Sequence, residues 1–549
     1  LRLRLQAGVI WITILLAADA PWRFVDQAEA WGIAQQNRYG GETRKEFILE
    51  TTGNGAAIVD LDGDGDDDIF LLNGTRLGPP GATKAIPALY RNDGSGKFVD
   101  VAREAGFDVE GWAQGVCAGD VDNDGRTDLF VTYYGHNRLY RNGGQLKFED
   151  VTAQVKLPAT GTRFGSGCTF LDFNRDGRLD LFVGNYVDLD LAKTPKPGTS
   201  AECRWKEIPV MCGPRGLPLA RNLLYRQNAD GTFSDVSQAM GIGKPGGRYS
   251  LQAVAADFDN DGWPDLYVAC DMTPSLLFRN RQGAGFDEVG VEAGVAYNFD
   301  GRLQAGMGVA VGDYDRDGRL DIAKTNFSGD LISLFHNDGG GMFFTDVSRE
   351  MGLGSHQLLG WGIAFADFDD DGWLDLMSVN GHVYPEVEGK GVGDRYLQET
   401  LLFRNDGGKR FRDASQDGAL RAPKPSRGLA LGDLDGDGRP EALIVNMNAR
   451  PTVLRNTAAA GQFVNLSLEG TRSNRSAIGA RYRVSAADGT QWTGEVMSGT
   501  SFYSQHSFTQ HVGVGAAQTV DVEVRWPSGK SQKFARLAVG RTHRLREEP

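Results

Sequence analysis

Seven times this sequence sets oxygen-bearing side chains on alternate residues of one nine-residue loop. The copies read DLDGDGDDD at 60, DVDNDGRTD at 120, DFNRDGRLD at 172, DFDNDGWPD at 257, DYDRDGRLD at 313, DFDDDGWLD at 367 and DLDGDGRPE at 433. Positions 1, 3, 5 and 9 are Asp60, Asp62, Asp64 and Asp68; Asp120, Asp122, Asp124 and Asp128; Asp172, Asn174, Asp176 and Asp180; Asp257, Asp259, Asp261 and Asp265. They continue as Asp313, Asp315, Asp317 and Asp321; Asp367, Asp369, Asp371 and Asp375; Asp433, Asp435, Asp437 and Glu441. Gly occupies position 6 in every copy, where a sharp turn needs positive φ. Clustered carboxylates repel one another, so the pattern calls for a cation. Hard oxygens at flexible angles suit Ca²⁺ better than Mg²⁺. Up to seven Ca²⁺ are expected, mainly structural in role. Asp66 is expected to add its backbone carbonyl, and Asp67 to be spare and face solvent. Solvated Asp/Gly turns are the alternative, most of all for the third loop with Asn174 and the seventh with Glu441.

The first half of each loop matches an EF-hand, but position 12 is never Glu and no helix follows. A β-type stretch such as DLFVTYY or DLYVACD comes next. A strand–turn–strand element then follows, as in RLYRNGGQLKFEDVT or LLFRNRQGAGFDEVG, before a Gly-rich apolar strand enters the next loop. Four short strands per unit, repeated seven times, predict an all-β fold: a seven-bladed β-propeller with calcium-binding loops over 22–457. The 24–33 segment resembles the strand after an LYRN turn, so it is expected to complete the seventh unit and hide both sheet edges. An open array, or eight blades with one degenerate, is the competing arrangement. Residues 462–549 alternate strand and turn and predict a small β-sandwich-like domain, separate from the propeller and joined by a short linker at 458–461.

The first twenty residues place two Arg before an apolar stretch and then A-D-A, the pattern of a secretory leader over 1–20. Export accords with Cys203 and Cys212, which bracket a Pro-rich insertion as a disulfide staple would, with two unpaired thiols as the alternative. Cys117, Cys168 and Cys270 read as buried small hydrophobes, with a 117–168 pair left open. The formal net charge of −14 and the absence of a basic stripe argue against nucleic acid. The expected location is secreted or cell-surface, with no stable membrane span once the leader is removed.

The loops with their apolar strands resemble FG-GAP/VCBS repeats. CRWKEIPVMCGPRGLP and NGHVYPEV resemble the cartilage acidic protein family, whose ASPIC/UnbV domain resembles the stretch from 463, with SNRSAIGARYRV and VEVRWPSGKSQKF. The 499–515 stretch around Gln505 and His506 departs from that pattern. The resemblance implies architecture more than mechanism.

Insertions in the first, third and sixth units (186–221 and 381–399 the longest) fall at one point of the repeat and so project from one face. Long loops on a rigid scaffold carry recognition. Trp205, Arg215, His382 and Tyr384 are the candidate binding residues there, with packing between loops as the bland alternative. H-E-x-x-H, G-x-S-x-G and phosphate-loop motifs are lacking, and His506 and His511 read as structural. The reading is a non-enzymatic recognition or adhesion module for an extracellular protein or glycan. A calcium-dependent polysaccharide lyase or a lectin is the alternative.

Overall fold

The computed structural model describes residues 23–77, 85–94, 96–354, 358–416, 418–457 and 461–549. The 1–20 leader, part of the first-unit extension and most of the 458–461 linker lie outside them. The fold is all-β, as predicted. Each unit is an antiparallel meander that starts with a strand buried on both faces, which is why these strands read as unbroken apolar and Gly runs rather than alternating ones. The fourth unit is representative: Ser250–Ala256 enters the Asp loop, Asp265–Cys270 leaves it, and Leu276–Asn280 and Phe286–Glu288 follow. The seventh unit, Ser426–Gly432, Glu441–Asn446 and Thr452–Asn456, takes its fourth strand from the N-terminal Phe24–Asp26, with Phe24 opposite Asn456. The first strand of the third unit also pairs with the second strand of the second unit, Phe164 opposite Tyr134.

The first strands of successive units lie side by side, and Ala56–Val59 of the first also lies beside Ser426–Gly432 of the seventh. A second circuit runs through side chains. An Asn or Gln at or near the end of each third strand donates its amide to a backbone carbonyl of the preceding unit's Asp loop. The bonds are Asn142 to Leu61 (2.8 Å), Gln227 to Val121 (2.9 Å), Asn280 to Phe173 (2.9 Å) and Asn337 to Phe258 (2.8 Å). Asn405 to Tyr314 (2.9 Å), Asn456 to Phe368 (2.6 Å) and Asn92 to Leu434 (3.1 Å) complete the round, the last joining first unit to seventh.

The C-terminal region forms a three-stranded sheet (Gln462–Glu469 between Gln510–Gly515 and Thr542–Arg546) and a four-stranded one (Gln491–Glu495, Arg481–Ala486, Thr519–Arg525, Ser531–Ala538). Val464, Leu466, Val484, Val522, Val524 and Trp526 fill the space between the two sheets. The expected separation from the repeats is not seen. That core runs on through Ile478 into Phe170 and Leu179 of the third unit, and the 496–507 segment inserts among the first strands of all seven units. Gln505 and Ser504 bond Ala56, and Val116 donates to the Tyr503 carbonyl. Thr169 donates to Ser498, Gln252 bridges Gly499 and Tyr503, and Ser501 pairs with Val309. Ile363 donates to the Ser501 hydroxyl and Leu431 to His506 Nδ1. The fit is tight: a Cβ on Gly499 would lie 1.8 Å from the Cys168 carbonyl oxygen.

Two disulfides are present. Cys203 joins Cys212 within the third-unit insertion. Cys117 joins Cys168, so these two are not the unpaired apolar fillers expected from sequence; converging first strands bring their Cα atoms to 5.9 Å, inside bridging range. Cys270 remains a free buried thiol.

Candidate metal centres

Each Asp loop is shaped by its own carboxylates. Position 4 and the position-6 Gly both take positive φ in all seven copies, for example Asn123 at 57° and Gly125 at 90°. The position-1 carboxylate accepts the N–H of that Gly, at 2.6 Å for Asp120 and Asp367 and 3.1 Å for Asp60. Position 5 accepts the N–H of position 7, as in Asp261 with Trp263 at 2.9 Å. Position 9 works differently. Asp68, Asp128, Asp180, Asp265, Asp321 and Asp375 accept one N–H from position 2 of their loop and one from the clasping Asn or Gln of the third strand. These side chains are buried and tie loop to sheet; Glu441 takes the Leu434 N–H in the same way.

The remaining oxygens converge. Ligand atoms of Asp60, Asp62 and Asp68 lie within 4.8 Å of one another, as do those of Asp120, Asp122 and Asp128, of Asp257, Asp259 and Asp265, and of Asp313, Asp315 and Asp317. Burial, with neighbouring carboxylates adding to it, pushes these groups up. Asp120, Asp172, Asp369 and Asp433 move to about 6, Asp313 to about 7, and Asp68 and Asp128 to about 8. Asp180, Asp265, Asp367, Asp375 and Glu441 are raised well above the usual carboxylate range for the same reason. Asp257 Oδ1 and Asp369 Oδ1 are buried without a hydrogen-bond partner. Buried charge of one sign with idle oxygens is the electrostatic signature that a bound divalent cation would relieve. The donor set is all oxygen in six loops, which fits Ca²⁺.

Some oxygens are already engaged by cations of the chain. Position-7 Arg126, Arg178 and Arg319 bind Asp124, Asp176 and Asp317, and third-strand Arg279 and Arg404 reach Asp259 and Asp369 at 3.0 and 2.9 Å. Arg455 reaches Asp435 and Asp437. Asn174 in the third loop keeps its oxygen toward the Asp176 N–H, and Asp371 is bonded by Arg404. The C-terminal region adds Arg525 on Asp257, His511 Nε2 on Asp370 (2.7 Å) and Ser476 on the Asp120 N–H (2.8 Å). It therefore caps the Asp-loop face. Asp66 keeps its N–H on Asp64, whereas Asp67 does not face open solvent. Asp67 turns toward Ser507 and the neighbouring Asp433, and burial pushes it up to about 7.

The opposite face carries the long insertions. Trp205, His382 and Tyr384 meet there, with ring centroids 5.3–6.1 Å apart, and Phe327 joins them. His382 and Tyr384 are buried and pin the loops together, so they present no surface of their own; burial lowers His382 to about 4. Trp205 is half-buried and donates its indole N–H to Asp394 at 2.7 Å. Arg215 is exposed, as is Leu219 in the same insertion.

The clasping Asn/Gln, the inserted 496–507 segment and the cap contacts of Arg525 and His511 are not among the residues predicted from sequence. The clasp had a signal: an amide side chain follows an Arg or His near the end of the third strand in every unit.

Residues 470–549 match the ASPIC and UnbV family, and 60–131, 120–183, 219–268 and 257–323 match the FG-GAP-like repeat family. Cartilage acidic protein 1 of Mus musculus is 24% identical over 509 residues, covering 87% of this chain and 70% of its own. Its Xenopus tropicalis counterpart is 25% identical over 505 residues, with the same two coverages. A solved lectin of Agrocybe aegerita, described for specific recognition of non-reducing terminal N-acetylglucosamine, aligns with TM-score 0.38 and 15% identity over 68% of this chain and 88% of its own. The chain is thus an FG-GAP-like repeat protein with a C-terminal ASPIC and UnbV domain, similar over most of its length to cartilage acidic protein 1.

Proposed function

We propose that the seven units close as a seven-bladed β-propeller over 22–457, capped by the 462–549 domain, and that the protein is an exported, calcium-loaded, non-enzymatic recognition module. The observation that carries the calcium reading is the convergence of buried carboxylates with unpartnered oxygens at Asp257 and Asp369. The ions would neutralise the loops at the seams between sheets, so their role is chiefly structural. Two disulfides support an oxidising compartment. Among the described residues no helix is long and apolar enough to cross a membrane.

With the Asp-loop face capped, recognition of an extracellular protein or glycan belongs on the long-loop face. Arg215 and the exposed apolar Leu219 and Leu397 belong to the long insertions, as does the half-buried Trp205. The test has two arms. Calcium should raise the melting temperature over that measured in EDTA, and equal melting overturns the calcium reading. Binding of extracellular protein and glycan panels should fall in an Arg215→Glu, Leu219→Asp double variant that melts as the parent does; unchanged binding removes this face. Release of unsaturated sugars from an acidic polysaccharide would replace the recognition module with an enzyme.

A further inference from the structure

The third strand of the fifth unit sets an imidazole beside its Asp loop, where those of the other six units carry a guanidinium. The residue before the clasping Asn or Gln is Arg91, Arg141, Arg226, Arg279, Arg404 or Arg455 in six units, and His336 in the fifth. A guanidinium at this place neutralises a carboxylate, as Arg279 does for Asp259, but has no lone pair to give a metal. An imidazole does.

His336 Nδ1 is buried and lies 3.3 Å from Asp315 Oδ2 and 3.4 Å from Asp321 Oδ1, within reach of both carboxylates. One ligand atom from each of the three residues falls within a single 4.8 Å cluster. Donors on a tetrahedral ion with bonds of about 2.0–2.1 Å stand about 3.3–3.4 Å apart, which is the spacing of Nδ1 from each of the two carboxylates. On the far edge of the ring, Nε2 lies 3.7 Å from Asp338 Oδ1. A carboxylate in that place fixes the orientation of a metal-bound imidazole and raises its basicity. Asp321 is itself held rigid by the N–H groups of Tyr314 and Asn337. Strand pairing sets His336 in register: it sits opposite Thr345, with Phe335 opposite Ile322.

We propose that the fifth loop is a mixed nitrogen–oxygen site, formed by Asp315, Asp321 and His336, that selects a borderline first-row divalent ion such as Zn²⁺ over Ca²⁺. Imidazole with carboxylates suits Zn²⁺, whereas Ca²⁺ takes oxygen ligands. The inference rests on reading the Asp loops as cation sites, and gives one of them a different ion.

The test uses the full chain saturated with Ca²⁺ and titrated with Zn²⁺ by calorimetry, and with Co²⁺ by visible absorption. One Zn²⁺ per chain should bind in the presence of excess Ca²⁺. His336→Gln should weaken that binding by at least about tenfold, the scale of losing a group that tunes a metal site, and should abolish the Co²⁺ band. His336→Arg, which restores the residue of the other units, should do the same while melting normally with Ca²⁺. Zn²⁺ binding that is absent, or unchanged by both variants, overturns the proposal. If Ca²⁺ still raises the melting temperature in that case, only the fifth-loop assignment falls; if neither ion alters melting, the cation reading of all seven loops falls with it.

Discussion

Asp68 and Asp128 show what a single carboxylate contributes here. Burial raises each to about 8, while an unfolded Asp titrates near 3.9. A raised native pKa means that the folded, ion-free chain holds more protons than the unfolded one. Its stability is full below the unfolded value and is lost as pH rises through the folded one. With Asp120 and Asp172 near 6 and Asp313 near 7, the losses spread over pH 4 to 8. Protein stripped with EDTA should therefore melt at progressively lower temperature from pH 4 to pH 8, measured by calorimetry. Calcium-loaded protein should lose little over the upper part of that range, because the cation replaces the protons. The clustering of these carboxylates was readable from sequence because all of a loop's acidic residues lie within nine positions. Asp67 was misread because its side-chain partner, Ser507, lies 440 residues away along the chain.

The sheet-to-loop clasp is the repeated element that the linear pattern concealed. Asn142 looks like an ordinary turn residue, yet its amide serves a carbonyl 81 residues upstream, and its N–H serves Asp128. Such a role shows only once neighbouring units are placed side by side. Asn280 does the same for the carbonyls of Phe173 and Pro264 at 2.9 and 3.0 Å. Asn280→Ala would leave two buried carbonyls unsatisfied, a cost of about 1–3 kcal/mol for each group so stranded. Urea denaturation of that variant should show the loss with or without calcium, since the clasp is made of amide and carbonyl alone. The strands themselves were legible, because doubly buried first strands and half-exposed later ones leave different apolar patterns. The pairing of Cys117 with Cys168 was left open because only the convergence of first strands brings the two together.

For the molecule as a whole, the 496–507 segment makes the cap and the repeats one cooperative body. Its Ser, Gln and His residues carry no strand or helix period, which is why its place was illegible: backbone and side chains bond seven different strands in turn. Gly499→Leu would drive a side chain into the Cys168 carbonyl, and hydrogen exchange should then quicken in the first strands of all units while the outermost strands keep their rates. The closing strand tells a further story about time. Phe24–Asp26 pairs with Thr452–Asn456, so an early stretch of chain must wait for one made more than four hundred residues later. At synthesis rates of ~5–20 residues per second that delay is on the order of 20 to 90 seconds, and the inserted segment arrives later still. Throughout it the nascent chain carries an open sheet edge, ready to pair with any other exposed strand. The pairing that seals this edge in the finished fold thus leaves it exposed while the chain is being made, and the protein's yield in the cell should depend on chaperones that occupy that edge until the last unit emerges.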